Sequence, residues 1–228
     1  MIDFYKKAYA IALHSRELNV GKKTIDLNFV KAVVEEARKS KPSISQQLLD
    51  ALSYTQFESK FKLIGYLYNT NILTKDTNIT VLGCWFNIIL ASVLHKDVKV
   101  ITGYDMDDSV IRVANRLFKN YDNVNFFTMD VFKNFKDIMS ESNLIINTSC
   151  EHMAPMNAWP WWDKIKENTY VALQSHNIKN INGHINCVDS LKEFKNQMPK
   201  QLKIIYSDTL NEKERDGKRF TIIGVKNE

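Results

Sequence analysis

The stretch from Asn78 to Asp105, NITVLGCWFNIILASVLHKDVKVITGYD, limits the folds open to this chain more than any other. Ile79, Val81 and Leu82 form a short β-branched and apolar run behind the turn-forming KDTN of Lys75 to Asn78. Gly83 follows at once, where the chain must turn without a Cβ in the way. Trp85 to His95 is apolar enough for a buried helix, and Val98 to Thr102 is a second β-branched run with Asp105 just past its end. A strand, tight turn, helix and strand ending in a carboxylate make a nucleotide-binding α/β unit. In such units an acidic residue about 20 residues after the turn glycine accepts both ribose hydroxyls. The turn's N–H groups are offered to polar ligand atoms.

A dinucleotide site uses G-x-G-x-x-G, and only its first glycine is present. Trp85 and Ile88 fill the other two positions. That argues against a pyrophosphate pressed onto the backbone, and so against a nicotinamide dinucleotide. It suits a ligand that has a ribose and no phosphate. A βαβ unit with no nucleotide is the plainer alternative.

Before this stretch, residues 1–75 read as a helical cap. Phe4, Ala8, Ile11 and Ala12 fall on one face, and Asp26 can cap a helix carrying Phe29, Val30, Val33, Val34 and Ala37. Pro42 breaks the pattern before a helix with Leu48, Leu49 and Leu52, and a fourth carries Phe57, Phe61, Ile64, Leu67 and Tyr68. From residue 76 to 228 strands alternate with helices. Val124–Phe127, Leu144–Ile146 and Tyr170–Leu173 read as strands, and Val110 to Leu117 and Asp189 to Met198 as helices. A short helix is expected on Phe132, Phe135 and Ile138. Leu202–Tyr206 and Phe220–Val225 flank the charged turn NEKERDGKR as an antiparallel hairpin. The fold class is therefore α/β, a Rossmann-like, mostly parallel seven-stranded sheet with an antiparallel C-terminal hairpin and an N-terminal helical cap.

Ligands of such sheets sit beyond the C-terminal strand ends. Gly83, Asp105, Asp130, the Asn147–His152 segment and Gln174–His176 all fall there. Glu151 and His152 together read as a general base or substrate orienter, since each takes a proton near neutrality with modest tuning. The alternative makes Glu151 a cap or ion-pair partner and His152 a core residue. Glu151, His152 and His176 have no recognisable metal-ligand spacing, so no metal is expected. Trp159, Trp161 and Trp162 fit either a stacking surface for a planar or cationic ligand or a core or interface role.

Here the sequence resembles the class I S-adenosylmethionine-dependent methyltransferases, over residues 76 to 226. VLGCWFNIIL, GYDMD, MDVF and INTSCEHM are similar to a phage and bacterial group within that superfamily. Its first loop reads Gly-Ser-Trp-Tyr-Gly, from which this chain departs at Cys84, Phe86 and Asn87. QFESK, in the cap, also resembles that group. The resemblance implies S-adenosylmethionine as cofactor and methyl transfer as the activity. Gly83 would approach the methionyl part, Trp85 would wall the pocket, and Ser149 would lie beside the donor. Asp105 would take the ribose, and Met106 would pack on the adenine. Asp130 would accept from the adenine amino group, with Val131 on the ring. Asn147, Glu151 and His152 would face the transferred methyl. Apart from the resemblance, Lys60, beside Gln56 and Ser59 on the cap helix, reads either as a partner for the donor carboxylate or as part of a solvated helix face. Nucleobase amino methyltransferases resemble one another in an Asn/Asp-Pro-Pro-aromatic motif, and Asn147-Thr148-Ser149-Cys150 lacks it.

A small-molecule acceptor is thus favoured over a nucleic acid. The net charge of +5 is scattered and has no basic block. Rival readings are a lyase or aminocarboxypropyl transferase using the same donor, a non-catalytic binding protein on the same fold, and an NAD-dependent enzyme. Three widely spaced cysteines build no disulfide framework, and no signal peptide or membrane span is visible. The expected location is the cytoplasm, the host's if the chain is phage-encoded.

Overall fold

The computed structural model describes residues 24–133, 141–212 and 216–227. The amphipathic run at Phe4 to Ala12, the helix expected over Phe135 and Ile138, and part of the charged turn after Glu212 lie outside the described residues.

Three helices lead into the sheet: α1 (Leu27–Lys39), α2 (Pro42–Ala51) and α3 (Tyr54–Asn69). Asp26 caps α1 by accepting from the Asn28 N–H, and Ser53 caps α3 by accepting from the Gln56 N–H. Then follow β1 (Asn78–Leu82), α4 (Ile88–Leu94), β2 (Val100–Asp105), α5 (Asp108–Leu117), β3 (Val124–Thr128), β4 (Leu144–Asn147), β5 (Tyr170–His176), α6 (Leu191–Asn196), β6 (Leu202–Glu212) and β7 (Gly217–Lys226). The strands form one sheet in the order β3-β2-β1-β4-β5-β7-β6. β1 to β5 pair in parallel, and β7 pairs antiparallel with both β5 and β6. The order reverses between β1 and β4, which opens a crevice above the C-terminal ends of those strands.

Both faces of the sheet are covered, so the central strands are continuously apolar rather than alternating. Adjacent residues still divide between the two layers: Leu144 and Ile146 face the layer of α1 to α5, while Ile145 faces the opposite one. The three leading helices share the first layer with the sheet rather than forming a core of their own. Phe29 of α1 packs on Phe118 with ring centroids 4.8 Å apart, and α3 reaches the last hairpin through the Tyr66 hydroxyl on Asp208 at 2.7 Å. Trp159, Trp161 and Trp162 fill the second layer, stacked on one another and at most 4% exposed. They are core residues, so a stacking surface for ligand is not built from them.

Several boundaries differ from the sequence expectation, among them β2, which runs on to include Asp105. α4 begins at Ile88, because Trp85 and Asn87 adopt left-handed backbone at φ 50° and 48°. β5 runs on through Gln174-Ser175-His176, which pair with Thr221, Phe220 and Arg219. Glu212 and Arg219, expected in a solvated turn, belong to β6 and β7 and are buried. No helix among the described residues is long and apolar enough to cross a membrane.

Candidate functional site

A cleft of about 1030 Å³ lies over the C-terminal ends of the parallel strands. Its floor begins at Gly83, whose φ of 56° is open to glycine at little cost. A Cβ there would stand 2.7 Å from Met153 Cε, so the first loop and the turn after β4 touch at this point. The Ser149 hydroxyl donates to the Gly83 carbonyl across the same contact. Asn87 occupies the place where the similar group has its second glycine. Asparagine is the residue type that tolerates left-handed backbone best after glycine, and Asn87 takes it here at φ 48°.

Asp105 ends β2 and braces this loop. Its Oδ2 accepts the Trp85 N–H at 2.9 Å and its Oδ1 accepts the Asp107 N–H at 3.0 Å. Each oxygen keeps a second lone pair. Trp85 donates from Nε1 to Gln47 Oε1 at 3.0 Å, which ties the loop to α2. Met106 is 77% exposed at the rim. Asp130 takes the Phe132 N–H on Oδ1 and the exposed Lys133 ammonium on Oδ2 at 3.1 Å, and that lysine holds its carboxyl below the usual range. Val131 is buried beneath it.

The other end of the cleft is charged. Burial alone would raise the Glu151 carboxyl, but the His176 hydrogen bond at 3.2 Å and the Arg219 guanidinium at 3.7 Å outweigh it and hold it down to about 2. Glu151 is therefore a fixed anion, a poor proton acceptor near neutrality. Arg219 in turn bonds Glu212 Oε1 through Nε at 3.0 Å. Lys60, on α3, hydrogen-bonds Gln56 at 2.8 Å; burial, and then Arg219 beside it, bring its amine down to about 7. His152 and His184 lie edge to face with centroids 4.5 Å apart. Burial lowers the His184 imidazole as well. Burial likewise raises the Cys150 thiol well above its usual value, which leaves it inert as a nucleophile.

Lys60, Gly83, Trp85, Asp105, Met106, Asp130, Val131, Ser149, Glu151 and His152 all line this one cleft. Asn147 does not. It is fully buried behind the wall, where its Oδ1 accepts the Ser149 N–H at 2.8 Å and its Nδ2 meets Met153 Sδ, so it shapes the turn and does not face a ligand. Sequence reasoning missed Gln47, Arg219 and His184, which also line the cleft. For Arg219 the signal was a charge opening an otherwise apolar strand; Gln47 and His184 carry none. A second hollow of about 1080 Å³, lined by Lys31, His95 and Asp122, opens at the opposite end of the strands, away from the polar strand ends.

No family model and no curated protein sequence matches this chain. The fold has many solved counterparts. The N-methyltransferase NodS from Bradyrhizobium japonicum WM9 is similar over 76% of this chain and 97% of its own, at 13% identity and a TM-score of 0.61. A putative sarcosine dimethylglycine methyltransferase from Galdieria sulphuraria is similar over 79% and 88%, at 9% identity and a TM-score of 0.60. The geranyl diphosphate C-methyltransferase of Streptomyces coelicolor A3(2), solved with S-adenosyl-L-homocysteine, covers 76% and 82%, at 11% identity and a TM-score of 0.55. At these identities the likeness is one of fold: the Rossmann-like fold of class I S-adenosylmethionine-dependent methyltransferases.

Proposed function

We propose that the protein is an S-adenosylmethionine-dependent methyltransferase. The observation that carries this reading is Asp105. It stands at the end of β2 beside the crevice, with both oxygens braced by backbone N–H groups and lone pairs left for a ribose diol. Around it, Gly83, Trp85 and Ser149 would enclose the methionyl part. Met106 and Val131 would sandwich the adenine, and Asp130 would take its amino group once Lys133 swings aside. Lys60, in its ammonium form, would meet the donor carboxylate. The acceptor would enter at the Glu151 end. There Glu151 is a fixed anion, while His152 and His184 orient the acceptor. The sulfonium-to-methyl bond breaks as the acceptor-to-methyl bond forms in line, with positioning and exclusion of water supplying most of the acceleration.

The solved counterparts carry names of nitrogen and carbon methyltransferases, so the fold itself favours no acceptor class. A cleft of about 1030 Å³ suits a donor plus a small molecule. Calorimetric titration with S-adenosylmethionine and S-adenosylhomocysteine, beside Asp105→Ala, tests the reading. Losing two hydrogen bonds to a charged acceptor predicts binding at least about 100-fold weaker in the variant. No binding by the intact, folded protein would refute it. Methylthioadenosine as product, in place of S-adenosylhomocysteine, would convert the assignment to a lyase or an aminocarboxypropyl transferase.

A further inference from the structure

The charged end of the cleft holds more ligand chemistry than an acceptor pocket needs. One donor atom from each of Glu151, His152 and His184 lies within 4.8 Å of the other two. The His152 Nδ1 meets the Gly183 carbonyl at 3.1 Å, and the His184 Nδ1 meets the Ile178 carbonyl at 2.7 Å. A carbonyl only accepts, so both Nδ1 atoms carry the hydrogen and both Nε2 atoms keep a lone pair. That is the outer-sphere arrangement that prepares histidines for metal ligation. Independently, Glu151 Oε2 is buried with no hydrogen-bond partner on a side chain 4% exposed, since His176 and Arg219 both engage Oε1. The segment bearing His184 is also clamped to Glu151, whose carbonyl accepts the N–H groups of Ile185 and Asn186 at 2.9 Å each.

We propose that Glu151, His152 and His184 bind a divalent first-row transition-metal ion such as zinc or iron(II) at the acceptor end of the cleft. Two imidazoles and one carboxylate on one side of an ion, with the remaining positions open, match catalytic zinc and non-haem iron(II) sites better than the all-oxygen sites of magnesium. Ligand bonds of about 2.0–2.2 Å require the trio to close by roughly 1 Å around the ion. His176 is excluded as a ligand. Its Nδ1 accepts the Ile178 N–H at 3.0 Å, so its Nε2 bears hydrogen and donates to Glu151. His176 and Arg219 are then positioning residues that hold Oε1 and leave Oε2 free for the ion. Cys187, the third member of a neighbouring His176–His184–Cys187 group, bonds the Ile178 carbonyl at 3.1 Å and stays outside. An acceptor whose heteroatom completed the coordination would be held beside the methyl group; that clause alone rests on the methyltransferase reading.

The full chain, stripped of metal by chelation and transferred to chelator-free buffer, is titrated with zinc chloride by calorimetry and with cobalt(II) chloride by visible absorption. One ion per chain at micromolar affinity or tighter is expected, with cobalt bands free of thiolate character. His152→Ala, at an exposed position, and His184→Ala each weaken binding at least tenfold, while Cys187→Ser leaves it unchanged. Absence of stoichiometric binding, full-strength binding in both histidine variants, or loss in Cys187→Ser each overturns the proposal. S-adenosylmethionine titrated into the metal-free protein reads the donor site separately, so failure of one assignment leaves the other standing.

Discussion

Glu151 makes acid stability a direct readout of the buried ion cluster. Its carboxyl sits at about 2 in the folded protein against 4.5 ordinarily, which is worth about 3 kcal/mol of stability. Because the folded value is the depressed one, this contribution is complete above pH 4.5 and is lost as the pH falls toward 2. Glu151→Gln keeps the shape and removes the titration. Wild-type stability should therefore fall more steeply than the variant's below pH 4.5, by about 1.4 kcal/mol per pH unit. Other depressed carboxyls, such as Asp107 and Asp208, are common to both proteins and cancel in the difference. Urea unfolding of metal-free protein from pH 5 to 3.5, followed by the fluorescence of buried Trp159, Trp161 and Trp162, measures the two slopes. Parallel curves would show that Glu151 is not held by His176 and Arg219 as described.

Lys60, with its amine near 7, should bind the donor carboxylate through its ammonium form. Donor affinity measured by calorimetry should then decline above pH 7, and Lys60→Met should flatten the profile. Gly83→Ala places a Cβ at φ 56° against Met153; it should cost about 1–2 kcal/mol in urea unfolding and weaken donor binding. Asn87→Gly, at an already left-handed position, should change stability by less than about 1 kcal/mol, while Asn87→Val should lose more than that in the same assay. Trp161→Ala, at a fully buried position, should cost about 3–5 kcal/mol in thermal or urea unfolding.

The parts of the site set by local chemistry were legible in the sequence. Gly83 and Asp105 stand where a strand, a turn and a second strand must place them, because strand ends and turns are written in neighbouring residues. The Asn87 substitution reads correctly only with a backbone angle in hand; in the sequence it is a missing glycine. Arg219 and Glu212 were illegible for a different reason. Charges at the base of a hairpin look like a solvated turn, and only the pairing of His176 with Arg219, between strands far apart in sequence, buries them. The three tryptophans mislead in the opposite sense, since aromatic clustering looks the same whether the rings meet a ligand or one another. Asn147 sits at the right strand end but points into the turn it stabilises, a distinction that one side-chain rotation decides.

The reversed direction of β7 gives the site an order of assembly. The parallel strands bring their last residues to the crevice, but β7 brings its first, so Arg219 arrives from the final strand of the chain. As the polypeptide emerges during synthesis, Gly83, Asp105 and Asp130, at the ends of β1, β2 and β3, are made well before that strand exists. Glu151, by contrast, stands without its guanidinium counter-charge until β7 inserts between β5 and β6. The carboxylate and its counter-charge thus come from well-separated parts of the sheet domain's sequence, and a chain cut short before Gly217 would hold Glu151 without Arg219.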